Sequence, residues 1–227
     1  AGWSGAGTVL AKHEPAGPPY MVLMPEMPFG QDKFMAKVKE NGDHHGCCVV
    51  VVGEGSKDTE GKEFGSDNSQ LDAFGHPVLA GAAERLADIV EPALNLKTRT
   101  VKLGYAQRAA AHYASETDVE EAFACGEAAV KAAVDGQSGF MVKLVRESDE
   151  PYKCTTGLQP LADIANQERL IPRDWITEDG WPPNEKFITY ARPLIQGELH
   201  LPSINGLPVF ARLIKVKIEK KLPPRET

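Results

Sequence analysis

Three polar side chains stand at positions where the sequence predicts that strands end. Glu54 lies between two glycines directly after the valine-rich segment 47–52, while Tyr105 and Arg108 follow segment 98–103. The two glycines let the backbone turn sharply and let a ligand approach closely. The Glu54 carboxylate could then accept hydrogen bonds from sugar hydroxyls, act as a general base or bind a metal. Arginine offers a planar fork of donors that suits phosphate. Taken singly, each side chain has an ordinary alternative as a solvated surface group.

Further cations lie close in sequence to the second of these strand ends. Arg99 and Lys102 precede Arg108 in a chain whose 25 Lys and Arg residues stand against 32 Asp and Glu residues, for a formal net charge of −7. A local group of cations in an acidic protein is what a phosphorylated small molecule requires. The overall acidity argues against non-specific nucleic-acid binding and against a polybasic membrane surface. We therefore expect neither nucleic acid nor a membrane as a partner.

Strand-like and helix-like segments alternate along the part of the chain that carries these residues. The four consecutive valines before Gly53 are typical of a strand buried on both faces, as in a parallel sheet covered by helices. Periodicity and turn signals predict strands over 20–24, 47–52, 98–103 and 140–145, and helices over 31–41, 79–94 and 117–134. The alternation predicts a three-layer α/β/α fold with a mainly parallel sheet. In such sheets ligands bind beyond the carboxyl ends of the strands, which is where Glu54 and Arg108 fall.

Local signals suggest where some of these elements begin and end. Gly42 is the predicted stop of the helix over 31–41, and Thr117 with Glu120 forms a predicted capping box. The polar, glycine-rich residues 53–70 lack periodicity and predict an exposed loop.

The composition changes after Pro151, because repeated prolines break the chain into short pieces. We predict an α/β sugar-phosphate-binding domain over 1–150 and a Pro-rich C-terminal extension over 151–227 that packs on the same domain. The extension is predicted to hold a helix over 184–196 and an edge strand over 209–218 with one solvated side.

The cysteines and histidines give no sign of a metal site. The four cysteines form no Cys-x-x-Cys pair, so reduced thiols in a cytoplasmic protein are the simplest interpretation. His44 and His45 lie in a glycine-flanked segment without carboxylates at metal-ligand spacing, which is typical of a solvated turn. No signal peptide is visible, and the longest apolar run is far shorter than the roughly 20 residues of a membrane span. We expect a cytoplasmic protein.

Several motifs, in order, resemble the carboxyl-terminal half of the 6-phosphofructokinase family, and most closely its pyrophosphate-dependent type. CVVVVGEG at 48–55 resembles the strand that carries the family's sugar-phosphate glutamate, and LGYAQRAA at 103–110 resembles its phosphate-binding segment. The match extends over PEMPF (25–29), DAFGH (72–76), EAAVKAAVDGQSGFMV (127–142) and ITEDGW (176–181). The resemblance therefore covers nearly the whole chain and implies the phosphofructokinase-like fold.

The resemblance implies a role for each candidate site residue. Glu54 matches the glutamate that hydrogen-bonds fructose hydroxyls, and Arg108 matches the arginine that binds the sugar 6-phosphate. Tyr105 matches the aromatic residue found there in pyrophosphate-dependent members, and Ala106 and Gln107 complete the same motif. A further substrate-binding position is Arg99, which falls where the ATP-dependent members place an arginine that reaches the 6-phosphate of a neighbouring subunit.

The function implied is fructose 6-phosphate binding within a pyrophosphate-dependent 6-phosphofructokinase, which makes fructose 1,6-bisphosphate in glycolysis. An ATP-dependent 6-phosphofructokinase and a non-catalytic sugar-phosphate-binding module remain the alternatives. The family's donor loop, Mg²⁺-binding aspartate and catalytic aspartate lie upstream of a Met-Gly-Arg motif that would fall just before Ala1. We therefore expect no catalytic residue and no metal ligand in this chain, and we expect the chain alone to be inactive. Pyrophosphate or ATP would bind through the missing half. The resemblance also implies a homodimer or homotetramer.

Overall fold

A computed structural model describes residues 2–14, 16–64, 66–71, 77–79, 81–217 and 219, with only the backbone for 66–71 and 77–79. The helices are α1 (Trp3–Gly7), α2 (Gln31–His45), α3 (Ala82–Leu94), α4 (Gly104–Arg108), α5 (Glu116–Val134) and α6 (Glu185–Ala191). The strands are β1 (Met21–Leu23), β2 (Val50–Val52), β3 (Ser66–Leu71), β4 (Pro77–Leu79), β5 (Phe140–Asp149), β6 (Tyr152–Pro160), β7 (Ser203–Ile204) and β8 (Leu207–Pro208). Short 3₁₀ turns cover Thr8–Ala11, Ala111–Tyr113, Leu161–Asp163, Arg173–Trp175 and Arg192–Ile195.

The parallel pair β1–β2 lies between two layers of helices. Met21 pairs with Val50 and Leu23 with Val52. Because successive strand residues point to opposite faces, Met21 and Leu23 pack with α2 and α3, whereas Val22 packs with α1 and α6. The valine-rich strand alternates in the same way and is half-buried on both faces. The other described strand pairs, β3–β4, β5–β6 and β7–β8, are antiparallel.

Residues beyond Pro151 contribute to the core on the α1 side of the sheet. Ile171, Ile176, Phe187 and Ala191 share one buried cluster with Val22 and other residues from the start of the chain. Trp3 packs its ring against Phe187, with the ring centroids 6.2 Å apart. The start of the chain and residues beyond Pro151 are thus joined by apolar burial, while the division into domains at residue 150 stays a prediction.

The long hairpin β5–β6 is fastened to α6 through Arg146. Its guanidinium lies between the rings of Tyr152 and Tyr190, at 4.8 and 4.7 Å from their centroids. Its Nη1 also donates a 2.6 Å hydrogen bond to the carbonyl of Tyr190 in the last turn of α6. The hydroxyl of Tyr152, whose ring contacts Arg146, donates a hydrogen bond to Glu121 of α5. The hairpin therefore connects two helices that are distant in sequence.

Several predicted boundaries are wrong. Helix α2 passes Gly42 and ends at His45, and the next residue, Gly46, adopts φ 73° and donates to the Gly42 carbonyl at 2.9 Å. A left-handed glycine at this position is the usual helix stop. Helix α3 begins at Ala82 rather than at 79, because Leu79 belongs to β4. The predicted loop over 53–70 gives way to a strand from Ser66.

The predicted capping box of α5 is also incorrect. The N-cap is Ser115, whose hydroxyl oxygen accepts from the backbone N–H of Asp118 at 3.1 Å. The same hydroxyl donates to the Leu194 carbonyl at 2.6 Å. This second bond, to a distant segment, explains why the helix starts at Ser115 rather than at Thr117.

Two predicted strands do not form in the described residues. Residues 98–103 run as exposed chain without strand pairing, and the predicted edge strand over 209–218 is irregular through 217, while 218 lies outside the described residues. By contrast, the helix predicted over 184–196 is present as α6 followed by the 3₁₀ turn Arg192–Ile195, with the Asn184 side chain as its cap. No helix among the described residues is both long enough and apolar enough to cross a membrane.

The half-buried carboxylate of Glu26, in the segment after β1, links the start of the chain to the segment around Ile171. It accepts hydrogen bonds from the Gly2 N–H at 2.8 and 3.1 Å and from the Ile171 N–H at 3.1 Å. A Cβ atom at Gly2 would lie 2.6 Å from Glu26 Oε2 and 3.0 Å from Cβ of Met24, so a larger residue would have to displace the carboxylate.

We expect Glu26→Ala to destabilise the chain by about 2 kcal/mol, because two partly buried N–H donors lose a charged acceptor. The measurement is urea unfolding followed by tryptophan fluorescence. Glu26→Gln, which keeps one acceptor oxygen, should lose less than Glu26→Ala. Equal stability of Glu26→Ala and the unchanged chain would contradict this role.

Candidate functional site

The turn after β2 is folded tightly against the end of β1. The Gly53 N–H donates to the Leu23 carbonyl at 3.0 Å, and the buried Ser56 hydroxyl donates to the same carbonyl at 3.1 Å. A Cβ atom at Gly53 would lie 3.2 Å from Cδ of Pro25. Glycine therefore lets this turn approach β1 closely, and Glu54 emerges directly beyond the carboxyl ends of the two parallel strands.

The carboxylate of Glu54 has two different partners. Its Oε2 accepts a 3.1 Å hydrogen bond from the backbone N–H of Ala82, the first residue of α3. Its Oε1 lies 3.8 Å from Nζ of Lys102. The first N–H groups of a helix have no partner within the helix and favour negative charge. The side chain of Glu54 remains 39% exposed, so a ligand can still reach the carboxylate.

The segment before the second predicted strand end is attached to α3. The Thr98 N–H and hydroxyl both donate to Oε1 of Glu91, at 2.9 and 2.7 Å. These bonds hold the pKa of the Glu91 carboxyl below its usual value. The segment carrying Lys102 is therefore anchored to the same helix whose first N–H binds Glu54.

The phosphate-binding motif of the resemblance forms the single helical turn α4. Gly104 adopts φ 58°, a left-handed conformation that favours glycine. Tyr105 and Arg108 are exposed, and the guanidinium of Arg108 lies 5.9 Å from the Tyr105 ring centroid. Ala106 and Gln107 are exposed on the same turn. The Tyr105 and Arg108 side chains are therefore adjacent and accessible to solvent.

The structure brings some of the predicted site residues together and leaves others apart. Glu54 contacts Lys102, and Tyr105 contacts Arg108. No hydrogen bond or ion pair among the described residues joins Glu54 to Arg108 or to the exposed Arg99. The motif at 72–76 lies outside the described residues.

Sequence reasoning missed two groups that contact Glu54. Lys102 was visible only as one of several nearby cations, because its pairing depends on where an irregular segment runs. The Ala82 N–H is a backbone group without a sequence signal of its own. A glycine-flanked helix start after a glutamate-bearing turn is the clue that could have suggested it.

No metal centre is evident in the described part of the chain, and one of its thiols is held protonated. No group of three or more His, Cys, Asp and Glu side chains there is arranged to hold a metal ion. The described residues thus offer no three-ligand group for a Mg²⁺ ion. The cysteines are free, and burial beside Cys47 raises the pKa of the Cys48 thiol to about 11, which keeps it protonated.

Comparison with known proteins gives consistent matches. A family model described as "Phosphofructokinase" matches residues 2–133. The pyrophosphate–fructose 6-phosphate 1-phosphotransferases of Halomonas elongata and Methylococcus capsulatus are 45% and 40% identical to this chain, each over 98% of the chain and 53% of the relative. The chain thus spans about half the length of the curated relatives it matches.

A solved structure matches the fold as well. The crystal structure of a pyrophosphate-dependent phosphofructokinase from Marinobacter aquaeolei superimposes with a TM-score of 0.80 at 37% identity, covering 98% of this chain and 52% of that chain. The predicted α/β class with a parallel sheet and a phosphofructokinase-like fold is confirmed, although the parallel pairing of the described residues is limited to β1 and β2 and an isolated bridge between Phe29 and Asp58. From the family match over residues 2–133 and the agreement of fold, this chain belongs to the phosphofructokinase family.

Proposed function

We propose that this chain is the fructose 6-phosphate-binding half of a pyrophosphate-dependent 6-phosphofructokinase. The observation that carries the proposal is the accessible carboxylate of Glu54, held beyond the ends of two parallel strands in a chain of this family. Support for the substrate comes from the Halomonas elongata and Methylococcus capsulatus relatives, both named pyrophosphate–fructose 6-phosphate 1-phosphotransferase.

Each proposed site residue has a role that suits its chemistry. Glu54 accepts hydrogen bonds from the fructose hydroxyls, and Arg108 binds the 6-phosphate through its fork of donors. Tyr105, on the same turn as Arg108, offers its hydroxyl to the sugar phosphate. Ala106 and Gln107 lie between these two side chains and complete the binding turn. Together these residues hold the sugar so that its 1-hydroxyl remains free to react.

The proposed reaction needs more than this chain contains. The 1-hydroxyl oxygen attacks a phosphorus of pyrophosphate, the bridging P–O bond breaks, and fructose 1,6-bisphosphate, orthophosphate and a proton result. Phosphoryl transfer depends on positioning and on electrostatic stabilisation of the transferred group. This chain positions the acceptor. In this proposal, donor binding, a base and the ligands of Mg²⁺, which would neutralise phosphate charge, come from outside this chain, which spans 53% of the Halomonas elongata relative.

A neighbouring subunit completes the site in this proposal. Arg99 is an exposed cation on the segment that leads to α4. In a homodimer or homotetramer it would reach the 6-phosphate bound by the adjacent copy.

An ATP-dependent enzyme and a non-catalytic sugar-phosphate-binding module are the alternatives. The names of the two relatives favour pyrophosphate as the donor. Turnover assays with protein carrying both halves distinguish the three, because the proposed enzyme consumes pyrophosphate, the second candidate consumes only ATP, and the binding module consumes neither.

The direct test is calorimetric titration of fructose 6-phosphate into this chain. We expect Glu54→Ala to weaken binding by about 10- to 100-fold, because hydrogen bonds to a charged group contribute about 1.5–3 kcal/mol. Glu60→Ala is the matched control, since it removes an exposed carboxylate from the same loop. Absence of binding by the unchanged chain at millimolar ligand, or equal affinity of Glu54→Ala, would contradict the proposal.

A further inference from the structure

Lys102 is a charged residue of the site to which the proposed function assigns no role. Its ammonium lies 3.8 Å from Oε1 of Glu54, while the other carboxylate oxygen is bound by the Ala82 N–H at 3.1 Å. Glu54 is therefore held from two sides, by the start of α3 and by the segment that leads to α4. Because Thr98 is hydrogen-bonded to Glu91 of α3, the segment that carries Lys102 is attached to the same helix as the Ala82 N–H.

The exposure of this ion pair indicates that it does little for the stability of the fold. The side chains of Lys102 and Glu54 are 60% and 39% exposed, and exposed ion pairs contribute little to folding because water screens them. Their nearness can still matter for a ligand. Because both carboxylate oxygens have a partner, the carboxylate can rotate less. Its remaining lone pairs are therefore already oriented to accept hydrogen bonds from the hydroxyl groups of a ligand.

The charge of Glu54 presents a difficulty that Lys102 relieves. A sugar phosphate is an anion, and it must approach a carboxylate in a chain of formal net charge −7. Like charges at short distance repel, and a cation beside the carboxylate offsets part of that repulsion. An unphosphorylated sugar would not feel this repulsion, so the cation favours phosphorylated sugars in particular.

We propose that Lys102 is a positioning and specificity residue, which orients Glu54 and neutralises it so that the site accepts a phosphorylated ketose. The role is exerted through Glu54 and not through contact with the phosphate. This inference rests on the proposed function, which names the ligand. The effect of Lys102 on the hydrogen bond between Glu54 and Ala82 can, however, be measured without any ligand.

The first experiment measures how fast the Ala82 amide proton exchanges with water in the ¹⁵N-labelled chain, by solvent-exchange NMR. If Lys102 holds Glu54 in place, Lys102→Met weakens the bond to Ala82, and exchange accelerates by about fivefold. Lys102→Arg restores slow exchange. Lys97→Met, the same change on the same exposed segment, leaves it unchanged. Equal exchange rates in Lys102→Met and the unchanged chain would overturn the positioning role.

The second experiment is a double-mutant cycle on fructose 6-phosphate affinity, measured by calorimetry. Lys102→Met is expected to weaken binding by roughly tenfold, and the double variant Glu54→Ala/Lys102→Met should bind within about twofold of Glu54→Ala alone. Additive losses would mean that Lys102 contacts the phosphate itself, which overturns an action through Glu54. If the unchanged chain binds no fructose 6-phosphate, the proposed function fails, while the Ala82 exchange rates still decide whether Lys102 positions Glu54.

Discussion

Replacing Arg108 with alanine is expected to weaken fructose 6-phosphate binding by about 100-fold, the largest loss of affinity in the proposed site. A guanidinium that binds phosphate with two parallel hydrogen bonds gives both charge and geometry, and truncating such a partner costs about 3 kcal/mol. The measurement is calorimetric titration of the sugar phosphate into the unchanged chain and the variant.

Arg108→Lys separates charge from geometry. Lysine keeps the positive charge but loses the planar fork, so we expect an intermediate loss of about tenfold. Because Arg108 is exposed and its described ring contact is the 5.9 Å approach to Tyr105, neither variant should change the urea midpoint. An Arg108→Ala chain that binds as tightly as the unchanged one would remove Arg108 from the site.

The end of β2 and the turn that carries Glu54 were predictable, because the local sequence signals there agree with the burial of the strand. Four valines before Gly53 specify a strand that can pack on both faces, and Glu54 must then follow at the carboxyl end. Gly53 is required there by the approach to Pro25. Here the strand, the turn and the carboxylate depend on neighbours in sequence, which is why the sequence alone located Glu54.

Residues 98–103 were mispredicted because strand formation requires a partner that sequence propensity does not supply. The segment has β-favouring residues, yet no described strand pairs with it, and Thr98 instead bonds to Glu91 on α3. Strand preference chiefly reflects packing against cross-strand neighbours. The contact between Lys102 and Glu54 follows from this path and could not be predicted from residue spacing.

Tertiary hydrogen bonds also decided helix boundaries that local rules left open. Ser115 and Thr117 are both acceptable caps for α5, and the bond from Ser115 to the Leu194 carbonyl favours the first. Much of the apolar stripe predicted for this helix, including Phe123 and Val130, is exposed. Periodicity thus identified the helix correctly, but the burial of its stripe depends on partners that the described residues do not provide.

Phe187→Ala should cause the largest loss of stability, about 3–5 kcal/mol, because it removes an aromatic ring from a closely packed core. Phe187 is 1% exposed and shares one cluster with Val22 of the sheet and Ala6 of α1. Its ring lies 6.2 Å from that of Trp3, so tryptophan fluorescence reports directly on the packing around Phe187. The resulting cavity would separate α6 from the start of the chain.

Urea unfolding of Phe187→Ala and of Tyr113→Ala tests whether the C-terminal segment shares a core with the sheet. Tyr113 is 86% exposed, so its removal should change the free energy of unfolding by less than about 0.5 kcal/mol. If Phe187→Ala is as stable as Tyr113→Ala, α6 does not contribute to the core that positions β1. A large loss in a single cooperative transition would instead mean that residues beyond Pro151 stabilise the strands from which Glu54 projects.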